Sequence, residues 1–546
     1  MKKLMTSLST LFFPLLLFAQ EAPEKGLDER INDAVMPYAI AWEALIFTPI
    51  PIGEYNVPIV LILLVGGATF FTIYFGIPGI TKFPLAINTV RGKYDDLDHH
   101  SAGDPDLAID GDIVDTIRDE SKDGEVSHFQ ALATAVSGTV GLGNIAGVAI
   151  AIAMGGPGAT FWMIICGLIG MSTKFVECTL GVKYRDVGDD GTIYGGPMYY
   201  MSKGFRERNL AGVGKTLAII FAVLGVGASF GGGNAFQSNQ ATVQLSSLLG
   251  IQGGATGFVI GLILAFLVGI VIIGGIKRIA SITEKIVPFM AVVYVLASLV
   301  IIFANFNNIG AAFSLIIEGA FTPMAGLGGL MGVLIVGFQR AAFSNEAGAG
   351  SAAIAHSAVK TKFPASEGVV ALLEPFIDTV VVCTMTALVI IFFNIDGGTA
   401  NLQSIFQYGV EGDLASSVRI TATGESVGGV DLTSMAFDSV IPGFSYVLTI
   451  AIVLFAFSTM ISWSYYGLQS WKYLFGKSRA ADLAYKFLFL LFVVIGSSAT
   501  LDAVVKFSDA MILGLVFPNM IGLLFLFPRV REELKRYTDA VKFGSK

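Results

Sequence analysis

The chain has 546 residues and a net charge of −8; 54% of its residues are hydrophobic and only 14% are charged. A soluble domain carries about 25% charged residues, so a water-soluble globular fold is excluded for the bulk of the chain. The 42 Phe and 64 Gly suit helices that face lipid and pack closely on one another.

Lys2 and Lys3 precede an apolar run, Leu11 to Phe18, followed by Ala19-Gln20 and an acidic stretch. This order predicts a signal peptide over residues 1–20, with cleavage near Ala19 or Gln20, since the run is too short to span a bilayer. An uncleaved interfacial helix is the alternative. Residues 21–56 then read as a periplasmic or interfacial segment, in which Trp42 to Pro51 is too short and too proline-bounded to cross.

Eleven apolar stretches follow that are long enough to span. They are Val57–Ile77, Gln130–Ala153, Ala159–Val182, Thr216–Leu245, Thr256–Ile276, Ile286–Ala304, Leu327–Phe343, Val369–Phe393, Ile441–Leu474, Ala484–Thr500 and Ala510–Phe527. The expected fold class is therefore all-α and polytopic. Residues 57–77 form one extra span, 78–129 a cytoplasmic loop and helix entry, and 130–304 and 327–527 two sets of five. Residues 305–326 lie between the sets, with Ile309–Phe321 as a helix along the membrane, and 528–546 form a tail.

Charge orients these spans. With the mature N-terminus outside, Lys and Arg crowd the cytoplasmic segments (Lys183, Arg185, Lys203, Arg206, Lys277, Arg278, Arg529, Arg531 among them), while the outside keeps Lys25, Arg30, Arg419 and Lys506. That asymmetry fits the positive-inside rule and places the C-terminus in the cytoplasm of a cell inner membrane. The Arg91–Glu125 segment, with Asp95, Asp96, Asp98, Asp104, Asp106 and His99-His100, reads as a solvated loop rather than a metal site. Cys166, Cys178 and Cys383 lie in apolar stretches without ligand spacing and read as small hydrophobes.

Two spans are locally abnormal. Gly138, Gly141 and Gly143 stand beside Thr139 and Asn144 at mid-membrane depth, and each glycine costs about 1 kcal/mol relative to alanine in a helix interior. Unwound backbone is tolerable at that depth only where it lines a cavity or ligand site. There it offers carbonyls to a cation and N–H groups to a carboxylate. The second abnormality runs from Gly337 to Ser351 and carries Gln339, Arg340, Asn345 and Glu346, which are expensive in lipid and mark a functional or gating region. Breaks at matching places in two halves point to an inverted repeat with a midplane site. Glycine used only for close packing is the competing explanation.

The stretches Val140-Gly-Leu-Gly-Asn-Ile-Ala-Gly-Val, Gly155-Gly-Pro-Gly-Ala-Thr-Phe-Trp162, Gly195-Gly-Pro-Met-Tyr-Tyr200 and Phe343-Ser-Asn-Glu-Ala-Gly-Ala-Gly-Ser-Ala352 with His356-Ser resemble the alanine or glycine:cation symporter family over nearly all of residues 30–530. The resemblance implies the LeuT-like five-plus-five inverted repeat, preceded here by one span. It implies a small neutral amino acid as substrate, held at Thr139, Gly141, Leu142, Gly143 and Asn144, with Gln237 at its polar end and Phe338 and Trp463 walling its methyl side. It implies a co-transported Na⁺ at carbonyls of Ser137 and Val140 with Ser458, Thr459 and Ser462, and no organic cofactor. Hydroxyls bonding back to their own helix are the alternative there. Lys174 and Glu177 are expected to pair with each other or with polar groups of the sixth core helix, such as Arg340, in a structural or gating network.

Symport of alanine or glycine driven by sodium is thus the expected activity, and a proton-coupled or differently specific permease is the rival. A channel would need symmetric polar rings. An enzyme would need a nucleophile–base pair or metal motif, and none is present in the four-histidine sequence. His356 is expected as a solvated or capping group. The expected partners are the lipid bilayer, the substrate and the ion, with no nucleic acid; oligomeric state is not legible.

Overall fold

The computed structural model describes residues 26–53, 55–98, 124–188, 191–251, 253–321, 329–395, 404–409 and 416–544. The expected signal peptide, His99-His100, Asp104 and Asp106 lie outside the described residues.

Helices dominate because lipid supplies no hydrogen bonds, so each backbone N–H and C=O is best satisfied within its own segment. Among the described residues, seven helices are long and apolar enough to cross a membrane: Gly158–Lys183, Ala211–Leu249, Gly275–Ala304, Pro364–Asn394, Phe444–Phe475, Arg479–Ser498 and Leu501–Phe543. The other expected spans fall on shorter or interrupted helices. Ile59–Tyr74 and Thr256–Ile272 are continuous, whereas His128–Thr139 is followed by Ala146–Gly155, and Gly329–Asn345 by Ala352–His356.

Several helices outrun their apolar stretches. The last continues through Pro528 to Gly544, so most of residues 528–546 is helix rather than loose tail. Leu27–Ile46 is helical and packs on Leu501–Gly514, ahead of a hairpin pairing Pro49–Ile52 with Tyr55–Pro58. Asp28 on that helix accepts from the N–H groups of Gly257 (3.0 Å) and Phe258 (3.2 Å). It thereby satisfies two orphan donors at the start of Thr256–Ile272. Between Asn394 and Val440 the described residues form three short strands (Phe406–Gln407, Ser417–Ile420, Ser426–Gly428) and the helix Gly429–Asp438. That helix docks on Ala146–Gly155, where the Thr433 hydroxyl donates to the Ile145 carbonyl (3.2 Å).

Small residues set the helix spacings. A side chain at Gly158 would overlap the backbone of Gly319 in the Ile309–Phe321 helix. Gly496, on Arg479–Ser498, lies against the backbone of Ala235. Residues Gly231–Ala235 form a π turn inside the Ala211–Leu249 helix, and Phe376–Cys383 form another inside Pro364–Asn394. Such turns insert one residue and cluster at functional sites. Asp378 of the second is reached by Asn144 from the first broken helix, and Gly232 of the first accepts from Gln237.

The Gly496→Ala substitution places a methyl group on the Ala235 backbone, where neither helix can yield without moving whole. A loss of about 1–3 kcal/mol is expected, read as a lower melting temperature of the detergent-solubilised protein. An unchanged melting temperature would mean the two helices do not meet there.

Candidate functional site

The first break is held open by side chains. Helix His128–Thr139 starts with a capping box, Ser127 accepting from the Gln130 N–H and Gln130 from the Ser127 N–H, and it ends at the glycine cluster. From Val140 to Ile145 the chain leaves the helix, then re-enters at Ala146. Two amides here find side-chain acceptors: the Gly141 N–H donates to Asn144 Oδ1 (2.9 Å), and the Leu142 N–H to Gln237 Oε1 (3.0 Å). Gln237 is aimed by its other end, since its Nε2 donates to the Gly232 carbonyl within the π turn (2.9 Å). Sequence reasoning placed Gln237 beside a substrate; in this structure its oxygen engages the break itself.

Helix Phe444–Phe475 forms the facing wall. Thr459 and Trp463, one turn apart, look onto Gly141 and Gly233, where an added Cβ would collide with each of them in turn. The Thr459 hydroxyl donates to the Ser137 carbonyl (2.9 Å), and the Ser137 hydroxyl donates to the Ser458 carbonyl (2.8 Å). Ser458 Oγ bonds back to Phe455 (3.0 Å). Ser462 Oγ is buried and has no hydrogen-bond partner among the described residues. Ser137, Ser458 and Thr459 therefore meet at one seam between the two helices, and Ser462 stands three residues on from Thr459 along Phe444–Phe475. Thr139, by contrast, turns its hydroxyl to its own helix, toward the Ala135 carbonyl (3.3 Å).

The second break follows Gly329–Asn345. Glu346, Gly348 and Gly350 have positive φ (56°, 95° and 82°), a conformation that glycine adopts freely and glutamate does not. Glu346 is held there: its carboxylate accepts from Ser351 Oγ and from the Trp463 indole N–H (3.0 Å). Phe343 lies against Gly143, Gly232 and Phe236. Phe338 instead meets the Trp162 ring at 5.8 Å. Phe343 is thus the aromatic ring of this helix in contact with the break and the π turn. Its motif was visible in the sequence, but not which phenylalanine faces inward.

Asn144 reaches further, donating to Asp378 Oδ1 (2.7 Å) and its carbonyl (3.1 Å). Asp378 also accepts from Ser344 (2.8 Å) and Thr379 (2.7 Å). This buried carboxylate joins both breaks to the second π turn.

The charged residues pair differently from expectation. Lys174 binds Glu374 (2.9 Å) rather than Glu177 or Arg340. Glu177 accepts from the Gly348 N–H (2.8 Å) and from Asn519 (2.9 Å). Arg340 pairs with Asp509, which also accepts from Gln339 (2.9 Å). His356 is fully buried rather than solvated, and shares Glu367 with His128. Glu374, Asp378 and Asp509 were each legible as carboxylates within or beside apolar runs, the signal that marks function in membranes. Their partners lie 170 or more residues away in several cases and could not be read.

A sequence model described as the sodium:alanine symporter family matches residues 52–546. The sodium/alanine symporter AgcS of Methanococcus maripaludis is 38% identical over 492 residues, covering 90% of this chain and 96% of its own. A putative sodium/proton-dependent alanine carrier protein, YrbD of Bacillus subtilis, is 37% identical over 436 residues, 79% of this chain and 85% of its own. Among solved structures, MhsT in complex with L-phenylalanine matches at 15% identity with a TM-score of 0.46, over 75% of this chain and all of that one.

Arg340 and Asp509 are both buried. Asp509→Ala strands a guanidinium and should cost about 3–5 kcal/mol, whereas replacing both residues by apolar ones of similar volume should restore most of it. Melting curves of the three variants in detergent test this. Equal losses in single and double variants would show that the pair does not interact.

Proposed function

We infer a transport mechanism from one premise, that this chain belongs to the sodium:alanine symporter family. The protein is a multi-pass membrane transporter and not an enzyme. We propose that it couples sodium entry to uptake of alanine or glycine across the cell inner membrane by alternating access, without an organic cofactor. The two interrupted and two shorter helices complete eleven crossings in this reading, one followed by two inverted sets of five. The N-terminus then lies outside and the C-terminus in the cytoplasm.

One observation carries the substrate assignment. Gly141 and Leu142 present N–H groups to two side-chain oxygens, those of Asn144 and Gln237, and these are the donors that a substrate carboxylate requires. An amino acid entering at Gly141–Asn144 replaces those oxygens, exchanging neutral acceptors for an ionised one, which makes stronger hydrogen bonds. The freed Gln237 turns to the substrate's polar end. Trp463 from the opposite helix and an aromatic ring of the second broken helix, Phe338 or the closer Phe343, limit the space left for a side chain. Thr139 is the last helical residue before the break. A pocket closed by rings suits a methyl group or a hydrogen and rejects larger groups by collision.

Sodium is assigned to the seam of Ser137, Val140, Ser458, Thr459 and Ser462. Its support is the unpartnered Ser462 hydroxyl together with the two cross-helix bonds between Ser137 and the Ser458–Thr459 turn. Hard neutral oxygens suit a small monovalent cation. On binding, the Thr459 and Ser137 hydroxyl protons turn away so that their lone pairs face the ion. Sodium then ties together the helices that the hydroxyls now tie. An ion bound there fixes the carbonyl end of the same break whose N–H end holds the substrate, and this shared backbone is the proposed coupling. The printed name of the YrbD relative favours a second reading, in which protons also drive uptake.

Radiolabelled alanine uptake into proteoliposomes is expected under an imposed Na⁺ gradient and not under a K⁺ gradient. Uptake driven equally by a proton gradient without sodium would support the second reading instead. Asn144→Ala and Trp463→Ala should each lower uptake on the order of tenfold or more in protein that still inserts. Thr459→Ala should raise the sodium concentration needed for half-maximal rate. Wild-type uptake in all three variants would overturn the site.

A further inference from the structure

A second buried polar cluster stands apart from the Gly141–Asn144 break. It gathers where the short helix Ala352–His356 meets Gly158–Lys183, His128–Thr139 and the start of Pro364–Asn394. Its centre is His356, whose Nδ1 lies 2.5 Å from Glu367 Oε1 and whose Nε2 lies 3.7 Å from Glu374 Oε2. All three side chains are fully buried.

Counting hydrogens exposes what this geometry needs. A neutral imidazole has one N–H donor and one acceptor nitrogen, whereas an ionised carboxylate only accepts. If Nδ1 donates to Glu367, then neutral Nε2 aims a lone pair at the lone pairs of Glu374. Both of these atoms are buried and lack a hydrogen-bond partner among the described residues. A second proton on the ring removes the conflict, since an imidazolium donates from both nitrogens. Charge points the same way. Lys174 supplies one positive charge to Glu374, and Glu367, held between the rings of His128 and His356, gains one when either ring is an imidazolium. The ring's own charged contacts are Glu367 and Glu374 on Pro364–Asn394. On the other packed elements, His128 of His128–Thr139 meets the second oxygen of Glu367, and Lys174 of Gly158–Lys183 binds Glu374. Glu177, Cys178 and Glu346 surround Lys174, and Tyr466 of Phe444–Phe475 lies near Glu374. Of these groups only Lys174 and His128 can bring positive charge.

We propose that His356 is a proton-binding site through which docking of the Ala352–His356 segment is coupled to holding a proton, and its undocking to releasing one. The segment is bounded by non-helical backbone on both sides. The backbone ahead of it is unwound from Glu346 to Ser351. Behind it, Arg185 grips the carbonyls of Ser357, Val359 and Thr361, and Val126 pairs with Val359. When the segment leaves Glu374 and Glu367, the ring loses both acceptors and gains solvent, so its hold on the proton weakens. Acid therefore favours the docked form and alkali the undocked one. For one proton, the docking equilibrium shifts by up to about tenfold per pH unit through the titration. Naming the side to which the segment opens as cytoplasmic rests on the orientation proposed above; the proton site does not.

The first test is hydrogen exchange of the substrate-free protein, corrected for the intrinsic dependence of exchange on pH. Peptides covering residues 352–362 should lose protection as pH rises from about 5.5 to 8.5, while the Phe444–Phe475 helix does not. The second is sodium-driven alanine uptake at varied pH on the cytoplasmic face. Wild type should show an inflection that His356→Gln abolishes and His128→Gln, which removes a ring from the other oxygen of Glu367, retains. If His356→Gln does not fold, Glu367→Gln, which removes the carboxylate at Nδ1 and leaves the Lys174–Glu374 pair intact, should weaken the inflection in its place. Flat exchange in wild type, or an inflection surviving both His356→Gln and Glu367→Gln, overturns the proposal. Absence of alanine uptake alongside pH-dependent exchange would count against the transport reading and leave the proton site standing.

Discussion

The structure depends on two backbone amides, those of Gly141 and Leu142, that no helix satisfies. In lipid an unpaired backbone donor costs several kcal/mol, so the break can exist only if side chains come to it. Asn144 does so from within the break, and Gln237 from a neighbouring helix. Gln237 can reach because the π turn Gly231–Ala235 supplies a carbonyl to orient it. That turn in turn fits because Gly233 leaves room for Trp463, and Gly232 for Ile512 and Phe343. Each element answers a need created by the one before it.

The same logic explains why so much charge is buried. Lys174–Glu374 and Arg340–Asp509 sit at the two ends of the second broken helix and its neighbours, and neither pair is worth much as a source of stability, because desolvation offsets attraction. Their value is in being all or nothing. A buried pair is either made or broken, and breaking it is expensive, so the elements it joins occupy distinct positions rather than a continuum. Asp378 belongs to the same class, but with neutral donors from both breaks in place of a cation.

Much of this was legible in the sequence. The helical class followed from composition, and the first break from three glycines within six residues. The polar stretch from Gly337 to Ser351 contained the second break, which opens only after Asn345. Other features were hidden for physical reasons. Whether Phe338 or Phe343 turns inward depends on the exact rotation of a helix that contains no regular polar stripe. The partners of Lys174 and Arg340 lie on helices remote in sequence, and local spacing favoured the nearer Glu177. His356 looked like a helix-end residue because the helix is short, yet three others close over it. The outer loop gave only turn-like composition, and its helix Gly429–Asp438 is stabilised by docking, through Thr433 and through Val430 on Gln240, rather than by its own pattern.

The π turn at Gly231–Ala235 has one more consequence, in the arithmetic of the chain. It holds one residue more than an α-helix of the same length, so everything beyond it is rotated by roughly 100° from where an uninterrupted helix would put it. Deleting a single glycine there would heal the helix without removing any functional side chain. Gln237 would then swing off the break and leave the Leu142 amide bare. The count of residues in this glycine run is therefore itself what seats Gln237 on the break.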